Sequence, residues 1–377
     1  MMTVIKSLVI SGLLCSCVWA VPPLSSRPGA LHTIYLDFDG HVTSGTLWND
    51  LYNDGQDFVT PPAVHTDEVI LKVWQRVAED FIPFNINVTT IDPGVEALRK
   101  TSDDDEAWGV RVCIGGSGLD WYGLSNSGVG QHGSFNWAVD MPAYCFDPDN
   151  LGRERNTAEV ISHEVGHTLS CGHDGTSSSV LYGGHGAGET KWAPIMGVPR
   201  GSLTQWTNGD YPDSNTTQDE LAVITSNGFS YAADAHGIIE RSSDVDTYQF
   251  EADGPIDISV ANIGVGANLD IMARIYDSSG NTVIVANPQE ETSVRIQETI
   301  PAGTYFIAVS GAGKDATEDD PGYSDYGSLG QYKLTGALFT PIEDTEPPPP
   351  DPEPEPDPEP DPDKPGKGKG RGKKPKR

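Results

Sequence analysis

The chain has 377 residues, a length typical of two or three domains. Its formal net charge of −31, from 55 acidic and 24 basic residues, argues against nucleic acid as a partner, because phosphate binding needs a basic surface. Hydrophobic residues make up 37% of the chain, enough for sizeable cores, while 42 Gly and 29 Pro favour loops, turns and β-structure.

The first 20 residues have the pattern of a secretory signal peptide. Lys6 precedes an apolar run that extends to Trp19, and Ala20 supplies a small residue for cleavage. The run is too short to span a membrane comfortably. We therefore expect a secreted, monomeric protein with no membrane insertion after signal cleavage. The alternatives are a periplasmic protein or one anchored by a lipid at Cys17.

Three cysteines remain after that cleavage: Cys113, Cys145 and Cys171. Exported proteins meet oxidising conditions, so we expect one disulfide and one free thiol, with the pairing left open. The alternative is that all three are small buried apolar residues.

The segment 21–232 is predicted to be an α/β (α+β) domain with a mixed sheet. Apolar alternation and helical spacing predict strands at 31–38, 85–90 and 110–114 and helices at 69–81, 158–169 and 217–225. Ser162 or Thr157 is a candidate cap for the second helix. A glycine-rich stretch at 128–137 is a candidate edge strand, to which an extended peptide could add.

The segment 233–340 is predicted to be an all-β sandwich, because short alternating stretches are separated by Gly, Asp and Asn turns. The predicted strands are 247–250, 256–260, 270–276, 283–285, 294–296, 304–309 and 332–334. The remaining segment, 341–377, combines a Pro/Glu/Asp-rich spacer with a basic Gly/Lys/Arg tail that has no apolar residue to bury. We expect that tail to be disordered.

The stretch HEVGHTLSCGHD at 163–174 predicts a zinc site. His163 and His167 are four residues apart, so on a helix both imidazoles point the same way and can reach one Zn²⁺. Glu164 can act as general base on the water that attacks the substrate. If the helix ends near 170–172, the chain can turn and bring His173 to a third position, which leaves the fourth open for catalysis.

A zinc site competes with a simpler interpretation, a helix with two solvent-facing histidines. The HExxH pattern alone arises by chance at roughly one in tens of thousands of positions from average residue usage. The third histidine, the helical context and the export signal favour the zinc site.

These residues, followed by Met196 in the segment APIMG (193–197), resemble the metzincin superfamily of zinc peptidases. The resemblance implies one catalytic Zn²⁺ on the three histidines, Glu164 as base and Met196 as an apolar floor beneath the metal. Asp174, directly after the third histidine, resembles the adamalysin (reprolysin) branch, in which this carboxylate braces the methionine turn.

Two positions depart from the family pattern. Ser170 stands where the family has glycine, and a non-glycine residue in a left-handed turn costs about 1–2 kcal/mol. Val198 stands where some branches have a tyrosine that stabilises the oxyanion, so that role is not supported here. Two further histidines, His132 and His185, are candidate residues of the substrate cleft, since active-site residues favour such loops.

The β-rich segment resembles the bacterial pre-peptidase C-terminal domain, on DVDTYQF (244–250), YDSSG (276–280), PAGTY (301–305) and GQY (330–332). Three aspartates there, Asp244, Asp246 and Asp270, are candidate Ca²⁺ ligands. Turn capping is the main expectation for them.

The resemblances together imply a secreted zinc metalloendopeptidase that acts on proteins or peptides. The alternative is a secreted polymer- or surface-binding protein with a vestigial zinc site, against which the intact Glu164 argues. A phosphatase-like alternative rests on the strand-end motif at Asp37 and Asp39, but the repeated βαβ pattern that it requires is missing.

Overall fold

The computed structural model describes residues 21–123, 125–146, 153–198 and 203–342. The predicted signal peptide and the C-terminal segment from residue 343 lie outside the described residues. The described residues belong to one compact unit. In them, none of the helices has the length and apolar character needed to cross a membrane.

The part up to residue 232, here called the α/β region, contains helices among short strands. In chain order its elements are β1 (His32–Asp37), β2 (His41–Thr43), α1 (Leu47–Tyr52), β3 (Phe58–Thr60), α2 (Asp67–Asp80), β4 (Ile86–Thr89), a 3₁₀ turn (Val95–Leu98), β5 (Gly109–Ile114), α3 (Gly118–Tyr122), β6 (Gly128–Val129), β7 (Ala143–Cys145), α4 (Glu154–Thr168), β8 (Trp192–Pro194), β9 (Leu203–Gln205) and α5 (Glu220–Thr225).

The central sheet of this region is mixed, as the sequence predicts. Its strand order is β4-β1-β5-β7-β6; the first four strands are parallel and β6 runs antiparallel to β7 at the edge. The predicted edge strand is thus present, but it covers only Gly128–Val129 of the predicted stretch. Helix α2 packs against β4 and α4, and α4 packs against β5, β6 and β7.

The β-region, residues 233–342, forms one antiparallel sheet. Its strands are β10 (Ile238–Ile239), β11 (Val245–Asn262), β12 (Ile271–Asp277), β13 (Thr282–Ala286), β14 (Val294–Gly311), β15 (Gly330–Thr335) and β16 (Thr340–Pro341). The order is β10-β15-β11-β14-β12-β13, with β16 also on β11. The predicted combination of a mixed α/β part and an antiparallel, sandwich-like part is therefore confirmed.

Several predicted boundaries were wrong. The predicted strands 247–250 and 256–260 are parts of one strand, β11, and 294–296 and 304–309 are parts of β14. These two 18-residue strands pair along their lengths with only a register shift between Ala252 and Gly254. Helix α4 begins at Glu154 after an Arg153 cap, so Thr157 and Ser162 lie inside it and are not its cap. Its earlier start gives α4 one more turn than the apolar spacing indicated.

The expected disulfide was also wrong. All three cysteines of the described residues are buried thiols. Cys113 lies in a cluster around Trp48 and Tyr144 on one side of the sheet, whereas Cys145 and Cys171 belong to the main core. The alternative, small buried apolar residues, describes them.

One hydrophobic core extends through both regions. It runs from Val112 of β5 and Ile161 of α4 to Ile275 and Ile307 of the β-region, all fully buried. Because burying such a side chain is worth about 1.5–3 kcal/mol, this core holds α4 against the sheet and the β-region against both.

Two buried carboxylates at the end of α2 connect the regions by hydrogen bonds. Asp80 accepts from Ser162 Oγ of α4 (2.5 Å) and from Asn268 Nδ2 of the β-region (2.7 Å). Glu79 accepts from the Gln331 backbone and side chain, each at 2.8 Å. Burial raises the pKa of each carboxyl group to about 7, because the charged form loses its hydration in the interior.

We predict that Asn268→Ala lowers the free energy of unfolding by about 1–3 kcal/mol, because Asp80 Oδ1 would stay buried without its donor. Denaturant titration measures the loss. The control is Asn281→Ala, whose side chain also donates to an aspartate, Asp277, but in an exposed turn where water can replace the lost bond, so a loss of no more than about 0.5–1 kcal/mol is expected. Equal losses in the two variants would contradict the proposed link.

Candidate metal centre

Helix α4 carries the first two histidines on the side away from its apolar face. Ile161 and Val165 are fully buried in the core. His163 and His167 lie about half a turn from them, so their rings leave the core and point towards a cleft. As predicted, the two imidazoles lie one helical turn apart on the same side of α4, with ring centroids 4.8 Å apart and ring planes at 90°.

The helix ends in a turn that brings the third histidine back. Ser170 N–H donates to His167 O and Cys171 N–H to Gly166 O, both at 2.9 Å, which is the Schellman arrangement of a helix C-terminus. Ser170 occupies its left-handed position with φ +78°. Ser170 therefore keeps the turn geometry expected of glycine, at the cost of backbone strain.

The three histidines converge on one point. His167 Nε2 and His173 Nε2 are 3.0 Å apart, and one ring nitrogen from each histidine lies within 4.8 Å of the others. His163 Nδ1 donates to Ile195 O (3.1 Å) and His167 Nδ1 to Cys171 O (2.9 Å). These bonds fix the tautomer, so the Nε2 lone pairs of His163 and His167 face the meeting point.

Electrostatics keep these imidazoles neutral. Burial, helped for His163 by the neighbouring His167, lowers the pKa of His163 to about 3 and that of His167 to about 4. Burial also lowers the pKa of His173. Neutral imidazole is the form that binds metal.

The donor set fits zinc. Two nitrogens at about 2.0–2.1 Å from a tetrahedral Zn²⁺ would be roughly 3.3 Å apart, close to the separation of the His167 and His173 nitrogens. Among the described residues the group has three imidazoles and no fourth ligand, which corresponds to the donor set of catalytic rather than structural zinc sites.

Glu164 lies beside this cluster and outside the ligand group. Its side chain is 8% exposed and lines the cleft. Burial raises its pKa to about 8, and a hydrogen bond from the Gly130 backbone opposes that rise. A Cβ on Gly128 would lie 2.7 Å from both Glu164 Oε1 and Cγ. Gly128 of the edge strand therefore makes room for this carboxyl group, a role that the sequence did not suggest.

Met196 is fully buried and packs against α4 at Gly166, directly before His167. Its sulfur packs where a Cβ on Gly166 would be, so the glycine inside the HEVGH motif admits the methionine side chain. The residue before it, Ile195, provides the carbonyl that orients His163.

The contact between Asp174 and the methionine turn is made by its backbone, whose N–H donates to Met196 O at 2.9 Å. Its carboxyl group is buried against that of Glu220, a residue that sequence analysis missed. Burial raises the pKa of Asp174 to about 7, and burial together with Asp174 raises that of Glu220. When two carboxyl groups are in contact, the state with one proton between them is favoured over the state with two negative charges. Glu220 also accepts from Thr207 N–H (2.8 Å).

The two further histidines have different positions. His132 is exposed and close enough to His167 to affect its pKa. His185 bonds to Tyr182 OH (2.9 Å) and to Gly322 O (2.7 Å), so it joins a loop of the α/β region to the β-region. Neither is among the residues that line the cleft cavity next to the metal cluster.

That cavity has a volume of about 780 Å³ and opens next to His163, Glu164 and His173. Its other walls come from the edge strand and the residues just before it, from α4, from the loop after His173 and from the segment after Met196, represented by Asn126, Gly128, Arg155, Glu159, Leu181 and Val198. Val198 thus lines the cleft at the place where the family tyrosine was expected. The space is large enough for several residues of an extended chain.

The phosphatase-like alternative finds no support at Asp37. This carboxylate is 3% exposed and bonds to Arg111 Nη1 at 2.6 Å, with the Asp39 backbone as a second donor. A buried carboxylate held by an arginine is not available as an exposed nucleophile.

In comparisons of the chain with known proteins, no protein-family model and no curated protein matches it.

We predict that Ser170→Gly raises the free energy of unfolding by about 0.5–1 kcal/mol. Relief of about 1–2 kcal/mol of left-handed strain outweighs the roughly 0.4–1 kcal/mol lost to greater freedom of the unfolded chain. The control is Ser226→Gly, at φ −64°, which should lower stability instead. Denaturant titration decides, and equal effects of both substitutions would show that φ at Ser170 carries no strain.

We also predict that Gly166→Ala lowers stability by about 1–3 kcal/mol, because the new methyl group overlaps the Met196 sulfur. Displacing the methionine turn also moves Ile195 O from His163, so zinc content after reconstitution should fall. The control is Gly172→Ala, whose Cβ would meet only Gln218 Oε1 at 3.7 Å. Wild-type stability and zinc content in Gly166→Ala would refute the packing argument.

Proposed function

We propose that the chain is a secreted zinc-dependent endopeptidase that hydrolyses peptide bonds in proteins or peptides. The observation that carries the proposal is the convergence of three neutral imidazoles at a cleft, with the carboxyl group of Glu164 beside them and outside the ligand set. A purely structural zinc site has four protein ligands and no need of an adjacent acid–base group.

His163, His167 and His173 would hold the ion. When bound, zinc lowers the pKa of a coordinated water to about 7 and polarises the carbonyl that is attacked. The bonds from His163 and His167 to backbone carbonyls keep both rings in the tautomer and orientation that binding requires.

Glu164 performs the proton transfer. A bound zinc ion would favour the charged form of Glu164 over the protonated form that burial favours. As a carboxylate it takes a proton from the attacking water, and as general acid it then passes that proton to the nitrogen of the leaving amine. Its burial at the cleft wall keeps it close to the reacting groups and shields the transferred proton from bulk solvent.

The edge strand supports an extended peptide as the substrate. Strand β6 is the outermost strand of the mixed sheet, and its residue Gly128 lines the same cavity as Glu164. A peptide that adds to this edge through backbone hydrogen bonds passes directly in front of the histidines. Backbone pairing needs no particular side chain, so it suits an endopeptidase.

The arrangement also supports the metzincin hypothesis in its finer form. Met196 packed against Gly166 of α4, the left-handed turn at residue 170 and the backbone contact of Asp174 to Met196 are each consistent with it. We further propose that the protein is exported through the segment 1–20, and that the β-region is of the pre-peptidase C-terminal type.

We predict that the zinc-loaded protein cleaves casein, that a chelator abolishes cleavage and that added zinc restores it. Glu164→Gln should keep its zinc and lower turnover by about 10²–10⁴-fold, the usual contribution of a positioned acid–base group. The control is Glu154→Gln in the first turn of the same helix. Glu154 lies 3.9 Å from Arg76 and does not line the cleft, so its variant should keep wild-type turnover.

Two outcomes would contradict the proposal. Cleavage that survives in Glu164→Gln would remove this residue from the mechanism. A zinc-loaded wild-type protein without chelator-sensitive cleavage would favour the alternative, a polymer- or surface-binding protein with a vestigial site.

A further inference from the structure

A second group of acidic side chains lies where the chain enters the β-region. The segment from residue 233 to 246 connects α5 to β11. One carboxylate oxygen from each of Asp234, Asp244 and Asp246 lies within 4.8 Å of the others. Asp234 is exposed, whereas Asp244 and Asp246 are buried. The group therefore has one side open to solvent and one side inside the protein.

Glu240 completes this group from the buried side. It is fully buried, and no N–H or O–H group of the described residues donates to either of its carboxylate oxygens. The carboxyl group contacts that of Asp244 and lies near Asp234 and Asp246. Burying a carboxylate without a donor is costly, and burying it as an uncompensated charge is costlier still. The surroundings of Glu240 therefore suit a bound cation.

One carboxylate oxygen of Asp246 is also buried with no donor in the described part of the chain. Its Oδ2 accepts from Gly237 N–H (2.8 Å) and Tyr332 OH (2.5 Å), which fixes the side chain. Its Oδ1 is buried and has no partner among the described residues. Asp244 is also fixed, because its Oδ2 accepts from Glu240 N–H at 3.0 Å. The carboxylates are thus held in place by donors that leave other oxygens unused.

The basic residues of the segment do not supply the missing charge. His236 bonds through Nε2 to Ile342 O (3.1 Å), and the Arg241 guanidinium lies over the Tyr231 ring, 5.2 Å from its centroid. Burial and then the neighbouring carboxylates raise the pKa of Glu240 to about 9. Burial raises that of Asp246 to about 6. Both pKa values are raised, as expected where several carboxylates lie together and a bound cation would neutralise their charge.

We propose that Asp234, Glu240, Asp244 and Asp246 bind one Ca²⁺ ion. All the ligand atoms on offer are carboxylate oxygens, the donors that hard cations prefer, and no imidazole or thiolate takes part. Ca²⁺ accepts six to eight oxygens in irregular arrangements, including bidentate carboxylates such as Glu240 can provide. Mg²⁺ demands a near-octahedral shell and keeps several waters, which a buried bidentate group does not favour.

The proposed ligand set differs from the one that the sequence suggested. Asp270 lies outside the group; its Oδ2 accepts from Tyr323 OH at 2.7 Å. Asp234 and Glu240 take its place. Since Asp246 also bonds to Tyr332 on β15, the ion would fasten the segment after α5 to the antiparallel sheet. Calcium would then stabilise the β-region independently of the three histidines.

Terbium luminescence on the full-length, zinc-loaded protein tests the site directly. Tb³⁺ is a hard cation that occupies oxygen sites, and tyrosine excitation sensitises its emission at short range. Tyr332 donates to Asp246, and Tyr248 OH lies 2.8 Å from Tyr332 OH, so two sensitisers adjoin the site. We expect saturable emission that Ca²⁺ displaces, and a melting temperature that rises with Ca²⁺ concentration.

Variants then assign the signal to these residues. Glu240→Gln should weaken Ca²⁺ binding by about ten-fold or more, since affinity depends on the number of charged ligands. It should also lose the calcium-dependent rise in melting temperature. The control is Asp253→Asn, which removes an exposed carboxylate from the same strand β11 and should behave like the wild type.

Two results would overturn the proposal. One is a wild-type protein with neither Ca²⁺-displaceable emission nor a calcium-dependent melting temperature, which decides the question even if Glu240→Gln does not fold. The other is a Glu240→Gln variant that binds Ca²⁺ as tightly as the wild type. Neither result bears on the peptidase proposal, which casein cleavage and zinc content test separately.

Discussion

The hydrogen bonds of the Asp80 carboxylate fix the position of α4, the helix that carries His163 and His167. This carboxylate lies at the end of α2, buried, and bonds to Ser162 on α4 and to Asn268 in the β-region. Trp206 Nε1 donates to its backbone carbonyl at 2.8 Å. Ser162 directly precedes His163, the first proposed zinc ligand, so any shift of α4 along its axis breaks a buried hydrogen bond. Because an unsatisfied buried carboxylate is costly, α2, α4 and the β-region keep one relative arrangement.

The site itself is ordered by backbone groups more than by side chains. Carbonyls of Ile195 and Cys171 orient His163 and His167, and the turn at Ser170 sets the direction from which His173 returns. Backbone carbonyls are fixed by the fold and need no ordering of their own. The imidazoles are therefore oriented before a metal arrives, which reduces the entropy lost on binding. The strain at one serine is a small cost for this preorganisation.

The sequence predicted the features that depend on local spacing. The separation of four residues between His163 and His167 determines that their rings share a helix face, and the period-two alternation identified β1, β4 and β5. Contacts between distant segments left no such signal. Nothing near Gly128 in the sequence indicates that Glu164 will occupy the space of its missing side chain, and nothing near Glu220 indicates that it will meet Asp174. The long strands β11 and β14 were divided wrongly because Gly and Pro mark turns in sequence, whereas pairing with each other keeps both strands continuous.

The strongly acidic composition acquires a different meaning once burial is known. As a net charge, −31 argued only against a nucleic-acid partner. The structure also buries several carboxyl groups, and each must be compensated. Asp80 is compensated by neutral donors, whereas Asp174 and Glu220 are buried against each other, and burial raises the pKa of both, which favours protonation of the pair. Glu240 also contacts another carboxyl group, that of Asp244, but two further carboxylates, Asp234 and Asp246, lie beside this pair, so one shared proton leaves most of the group uncompensated. We propose a divalent cation as the compensation here, because it can hold several carboxylates charged and ordered at neutral pH.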